Sequence, residues 1–232
     1  NAETEYHQEL KWLLREEVHH VFEDIRHTLQ VCISYGSSQM KCMVTLRGDS
    51  ICEADVNFKH KHVKDQHHIF KTSFNPDRQW KLQQIQDAGN HLCNALFILS
   101  KRDATYEFKS AQEVLLLLDE LMACLMKCRT SLAMPKRKTL QDLITNKNMQ
   151  IFYPVLPNDV ALSFYVHASK LILAMYHLHT NNQQKVEITA RFQVESVVQW
   201  LNEAIVFFTL ALQQCQQLKD KIIALCQYDG MC

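Results

Sequence analysis

Apolar residues recur every three and four positions along most of this 232-residue chain, a spacing that belongs to amphipathic helices, each with one face to bury. Leu14, Val18, Val21 and Ile25 form such a stripe in a first helix from about Glu3 to Ile33, with Glu16, Glu17, Glu23, Asp24 and Arg26 off it. Asn75-Pro76-Asp77 supplies a proline and a carboxylate to the start of a second helix. Leu82, Ile85, Leu92 and Leu96 carry its stripe, and Gly89 lies on the same face, where a missing side chain admits a second backbone. A third helix opens on the capping box Ser110-Ala-Gln-Glu113, carries Leu118, Leu125 and Leu132 as a heptad ladder, and stops at Pro135. A fourth is expected from Asn158 or Asp159 to about Leu178, with Val160, Phe164, Leu171, Met175 and Leu178 on one face. The last and longest, about 194–227, runs its seam through Leu201, Ile205, Phe208 and Leu212. Four glycines and four prolines leave room for few connections.

Elsewhere the period drops to two. Cys42, Val44 and Leu46 alternate with Lys41, Met43 and Thr45, and beyond Gly48-Asp49 the residues Cys52, Ala54, Val56 and Phe58 alternate with Glu53, Asp55 and Asn57. A hairpin with one wet face has this pattern. His68, Phe70, Thr72 and Phe74 suggest a third strand, and Val186, Ile188, Ala190 and Phe192 a fourth. The connector 136–158 holds a short helix at Thr139–Thr145 and an extended Pro154–Pro157 stretch. These periods predict an α+β fold dominated by an elongated, antiparallel helical bundle with a heptad-patterned core, drawn from residues 1–35, 76–182 and 193–232. Beside it the discontinuous segments 36–75 and 183–192 are expected to build a small antiparallel β-domain.

Composition removes several functions. Basic and acidic residues balance at 25 each, so neither nucleic acid nor an anionic membrane is an expected partner, and Lys136-Arg137-Lys138 reads as a solvated loop. A bilayer span needs about 20 predominantly apolar residues. The run Val160–Tyr176 is interrupted by His167 and Lys170, so no direct membrane insertion is expected. Nine cysteines form no CxxC pair, and Cys32, Cys93, Cys124, Cys128 and Cys215 fall in helix-patterned apolar stretches, as small hydrophobes in a reducing cytosol do.

Nothing in the chain matches a glycine-rich phosphate loop or a GxSxG elbow, so no catalytic residue and no cofactor is expected. The histidines His60, His62, His67, His68, His177 and His179 are the best remaining case for chemistry. Without a Cys or carboxylate set of the kind zinc takes, they read as a polar loop and a helix C-terminus, and no metal is expected. The Leu118–Leu125–Leu132 ladder fits a zipper between chains or the inner seam of one chain's bundle. Nearly three heptads are few for a free-standing zipper, which favours the inner seam. Gln213, Gln214, Gln216 and Gln217 make a polar outer face on the last helix. That face and the sheet edge are the candidate partner surfaces, a solvated helix face being the plainer reading of the glutamines.

Four strings carry a resemblance. Lys11-Trp-Leu-Leu-Arg-Glu-Glu-Val-His19, Gln79-Trp-Lys-Leu-Gln-Gln-Ile-Gln-Asp-Ala88 and Trp200-Leu-Asn-Glu-Ala-Ile205, with the hairpin Val44-Thr-Leu-Arg-Gly-Asp49 leading to Ala54-Asp-Val-Asn57, resemble the Rogdi family in the same order. The resemblance implies an atypical leucine-zipper protein, non-catalytic, related to the small subunit of the RAVE complex. It also implies WD-repeat scaffolds of the rabconnectin complex and peripheral-sector subunits of the vacuolar H+-ATPase as partners, with pump assembly and vesicle acidification as the outcome. A neuronal role follows from it too, in the cytoplasm on synaptic or other acidic vesicles through partners, or at the nuclear envelope. The alternative is a homodimeric leucine-zipper regulator in the nucleus that does not itself bind DNA. The connections near Gly36–Gln39 and Thr180–Gln184 are shorter than the family's, and His60–His68 lies outside its pattern.

Overall fold

The computed structural model describes residues 29–33, 40–61, 67–102, 106–182 and 184–229. Leu14, Val18, Val21 and Ile25 therefore lie outside the described residues. Among the described residues the strands are β1 (Leu29–Ile33), β2 (Met40–Arg47), β3 (Ser50–Lys61), β4 (His67–Phe74), β5 (Trp80–Lys81), β6 (Phe152–Tyr153), β7 (Val160–His167), β8 (Lys170–Thr180) and β9 (Val186–Val197). The helices are α1 (Gln83–Ser100), α2 (Ala111–Ala133), α3 (Leu140–Ile144) and α4 (Gln199–Asp229), with a 3-10 turn at Lys147–Ile151. The chain divides into two compact units, one holding Ile85–Ala133 and Trp200 onward, the other the described residues up to Gln84 together with Met134–Gln199.

This is an α+β protein, but the expected dominant bundle does not form. Two antiparallel sheets account for much of the chain, and α3 belongs to the sheet unit, so no single elongated bundle collects the helices. The decisive difference is Val160–Leu178, expected as a helix and found as the hairpin β7–β8. Alternate residues of β7 and β8 point to opposite faces, yet both sets are buried, from Val160 to Val166 and from Leu171 to Tyr176. One set, Ala161, Tyr165, Ile172, Ala174 and Tyr176, packs against Leu143 of α3. With both faces covered the apolar run is nearly continuous, and a run of that kind has no period to separate strand from helix. The turn is silent as well: Ala168 and Ser169 both adopt positive φ, 47° and 66°, where asparagine and glycine usually stand. The β-branched and aromatic residues Val160, Phe164, Tyr165, Val166, Ile172 and Tyr176 were the available strand signal.

In the other sheet the order is β1-β2-β3-β4-β6, and β5 pairs with β3 beyond the end of β4. The alternation in β2 holds except at Thr45: Met40, Cys42, Val44 and Leu46 are buried, and Thr45, expected on the wet face, is buried as well. A register shift pairs Thr45 with Glu53 but Leu46 with Ile51, leaving Cys52 as the extra residue of a bulge. Ile51 is buried as a result and Cys52 is only half-buried, the reverse of the simple alternation. Trp80 begins no helix: it pairs with Ile51, and α1 starts at Gln83. Trp80, Phe74, Phe152 and Phe164 meet edge to face, with Trp80 5.3 Å from Phe164 and Phe74 5.2 Å from Phe152. Lys138 of the basic run lies over the Trp80 ring at 5.4 Å, so one of those three residues is not simply solvated.

In the helical unit the three-and-four spacing is honoured. Ile85, Ala88, Leu92 and Ala95 of α1, Leu118, Leu121, Leu125, Cys128 and Leu132 of α2, and Leu201, Ala204, Phe208, Leu212 and Cys215 of α4 are buried. The Cys128 thiol donates to the Ala88 carbonyl at 3.5 Å, and Lys219 pairs with Asp119. A Cβ at Gly89 would meet nothing within 4 Å, so no second backbone among the described residues approaches it. The α2 cap is real but shifted: the Glu113 amide donates to Ser110 Oγ at 3.2 Å, while the Glu113 carboxylate accepts from the Lys109 amide at 3.0 Å rather than that of Ser110. At α3 the box is complete, between Thr139 and Asp142.

Candidate interaction surfaces

The sheet unit brings histidines from distant segments together. His60 on β3 places Nε2 3.0 and 3.1 Å from the two carboxylate oxygens of Asp159, in the turn before β7. His177 on β8 stacks on His60 with centroids 6.2 Å apart, and Phe192 of β9 meets His177 edge-on at 5.8 Å. Burial pushes His177 below the ordinary imidazole range; Asp159 acts against this, and His60 adds to it. Two imidazoles and one carboxylate link the two sheets. Among the described residues no group of three or more His, Cys, Asp or Glu is placed to hold a metal. His179 lines a groove instead, and His177–His179 stand on a strand rather than at a helix end. The pairing of residues 60 and 159, far apart in sequence, had no local signal.

The thiols are packing groups where they are buried. Burial raises Cys128 to about 12 and Cys215 to about 11, so both stay protonated at neutral pH and are poor nucleophiles. Cys93, which lies in a helix-patterned apolar stretch, is exposed.

The heptad ladder is used up within the chain: Leu118, Leu125 and Leu132 are 3%, 0% and 1% exposed. Leu82, Ile85, Leu92, Leu201, Phe208 and Leu212 are also buried, and Leu96 and Ile205 are half-buried. The glutamines do not form one face. Gln213, Gln216 and Gln217 are exposed, and Gln216 donates to Asp220 at 2.8 Å. Gln214 is turned inward, its Oε1 buried without a hydrogen-bond partner among the described residues. Val206 and Leu210 continue the line of Gln213 and Gln217 at spacings of four and three, all exposed, which makes an outer stripe with an apolar half. That second stripe is legible in the helical spacing of the sequence.

The sheet unit carries a concavity with apolar walls. An open groove of about 490 Å³ is lined by Leu143, Ile144, Val155, Pro157, Leu178 and Val186 among others, with Asn158, Asp159, His179 and Thr180 as its polar members. Ile144 at its wall is 47% exposed and Val155 72%, and Tyr153, just before Val155, is 69% exposed. No helix among the described residues is long and apolar enough to cross a membrane.

These features define an α+β protein of two units whose distinctive surface is an apolar groove beside strand edges. The profile described as "Rogdi leucine zipper containing protein" matches residues 9–185. A zebrafish "Protein rogdi homolog" is 37% identical over 94% of this chain and 93% of its own length, and the human homolog 34% identical over 95% and 92%. The Drosophila "Protein rogdi" is 38% identical over 92% of this chain and 86% of its own length. The chain belongs to the Rogdi family. None of these relatives' names states an enzymatic activity. The zebrafish alignment, 266 residues, is longer than this chain, so that relative carries residues the chain lacks.

Proposed function

We propose that the chain is a non-catalytic adaptor subunit of a RAVE- or rabconnectin-type complex, which docks on a WD-repeat scaffold and promotes assembly of the vacuolar H+-ATPase. The observation that carries the adaptor reading is the groove: Ile144 and Val155 stand in water around an apolar concavity, and Tyr153 is exposed beside them. Contiguous apolar surface of this kind marks protein-binding sites in soluble proteins. Burial of the zipper leucines inside one chain supports an adaptor over a zipper that pairs chains. The choice of scaffold and pump rests on family membership. In this reading the protein is cytoplasmic and reaches synaptic or other acidic vesicles through its partners.

Affinity purification of the full chain at native expression tests the proposal. Recovery of a WD-repeat scaffold with peripheral pump subunits is expected, together with slower vesicle acidification when the chain is removed. Purification that yields neither scaffold nor pump subunit overturns it.

A further inference from the structure

Among the described residues the sheet β7-β8-β9 has two outer edges, and the chain treats them differently. On β7 the edge is plugged. The Gln84 side chain acts as a substitute peptide: its Oε1 accepts from the Val166 amide and its Nε2 donates to the Val166 carbonyl, each at 2.8 Å. The same Nε2 donates to Met134 O. Farther along, the Leu162 amide meets Met149 Sδ at 3.4 Å and the Val160 amide donates to Pro157 O at 3.0 Å. Blocking an edge in this way prevents strand addition.

The same bonds fix which groups on β9 face outward. Val166 turns both its backbone groups away from β8, so in an antiparallel ladder Ala161, Ser163 and Tyr165 are the β7 residues that bond to Tyr176, Ala174 and Ile172. Leu171, Leu173 and Met175 then bond toward Ser196, Val194 and Phe192 of β9. This leaves the amides and carbonyls of Arg191, Gln193, Glu195 and Val197 facing away from the sheet. Arg191 and Gln193 are exposed, and Val197 is 60% exposed. β9 comes near β1 and β2 but pairs with neither. It is twelve residues long, against five for β1 at the end of the other sheet.

We infer that β9 is a docking edge which accepts an extended segment of a partner protein as an added strand. The segment's backbone pairs with residues 191–197. Its side chains place an acid beside the exposed Arg191, whose guanidinium donates to the neutral Tyr165 hydroxyl and Gln193 Oε1, each at 2.7 Å. Glu195 already pairs with Lys170 at 2.6 Å, so the segment carries no base there. The inference rests on the adaptor reading and names where the scaffold binds.

Gln193→Pro in the full chain removes an outward amide while sparing the bonds to β8. Val197→Lys sets a charge on the same edge at an exposed position and guards against a folding defect in the first variant. Recovery of the WD-repeat scaffold from cells is expected to fall by roughly tenfold or more in both, with the melting temperature of Val197→Lys unchanged. In the free protein, the amides of Arg191, Gln193, Glu195 and Val197 are expected to exchange with solvent ahead of those of Phe192, Val194 and Ser196. Undiminished recovery with Val197→Lys, or equal protection of the two sets of amides, overturns the docking edge and leaves the adaptor reading intact. A wild-type chain that recovers no scaffold overturns both.

Discussion

Helix α2 and the hairpin β7–β8 are similar in length and richness in apolar residues, yet they bury them differently. In α2, Leu117 and Leu118 are buried while Leu116 is 57% exposed, so one stripe is dry and the rest of the cylinder is wet. In β8, Leu171 through Tyr176 are all buried, because one face meets α3 and its neighbours while the opposite face is also covered. A one-sided element announces its geometry through its period. A two-sided element hides it, and its edges become the places where polar groups must be settled.

The sharpest way to break this comparison is to place polar side chains at neighbouring positions. Ile172→Asn and Leu173→Asn, on opposite faces of β8, are each expected to cost about 4 kcal/mol or more. In α2, Leu116→Asn is expected to stay within about 0.5 kcal/mol while Leu118→Asn costs as much as the β8 pair. Urea denaturation checks all four; a harmless Ile172→Asn would mean that α3 leaves that face open.

Smaller in effect is the edge plug. Gln84→Leu keeps the volume but orphans the Val166 amide and carbonyl and the Met134 carbonyl. A loss of about 2–3 kcal/mol is expected, with faster amide exchange at Val166, since buried unpaired groups carry their desolvation cost. An unchanged stability would show that water satisfies the edge.

The smallest expected effect concerns pH. His177 titrates lower in the folded chain than its ordinary 6.5, chiefly through burial, so the unfolded chain binds its proton first as pH falls. Stability from this residue is fully present above 6.5 and is lost as pH drops through the folded value. Denaturation midpoints between pH 7 and pH 5 should therefore decline less steeply in His177→Gln than in the native sequence. Parallel slopes would remove His177 as a source of pH dependence.

Much of the helical unit was readable because its seams are local. Leu118, Leu125 and Leu132 sit a heptad apart and all turn inward. In the sheet unit the short helix expected at Thr139–Thr145 is present too, capped by Thr139 and Asp142. The hairpin β2–β3 was readable from alternation up to its bulge, where one extra residue moves Ile51 into the core and Cys52 outward. The hairpin β7–β8 was not, for want of a period and of a glycine at Ala168–Ser169. The candidate surfaces were the least legible. The groove joins Ile144 to Val186 and the clamp joins Gln84 to Val166, pairings that depend on how distant segments meet. In the glutamine run helical phase outranks residue type: Gln214 turns inward while Val206 and Leu210 face water.

The division of the chain also orders events on the ribosome. The helical unit takes Ile85–Ala133 and then waits for Trp200 onward, while all of Met134–Gln199 is assigned elsewhere. During synthesis the sheet unit has its last strand before α4 has emerged, so it is the first unit whose parts are all outside the exit tunnel. α1 and α2 spend that interval with part of their seams uncovered, exposed to chaperones and to each other. A truncated product that ends before α4 would keep a complete sheet unit beside two unsealed helices, and its fate in the cell would be set by those helices.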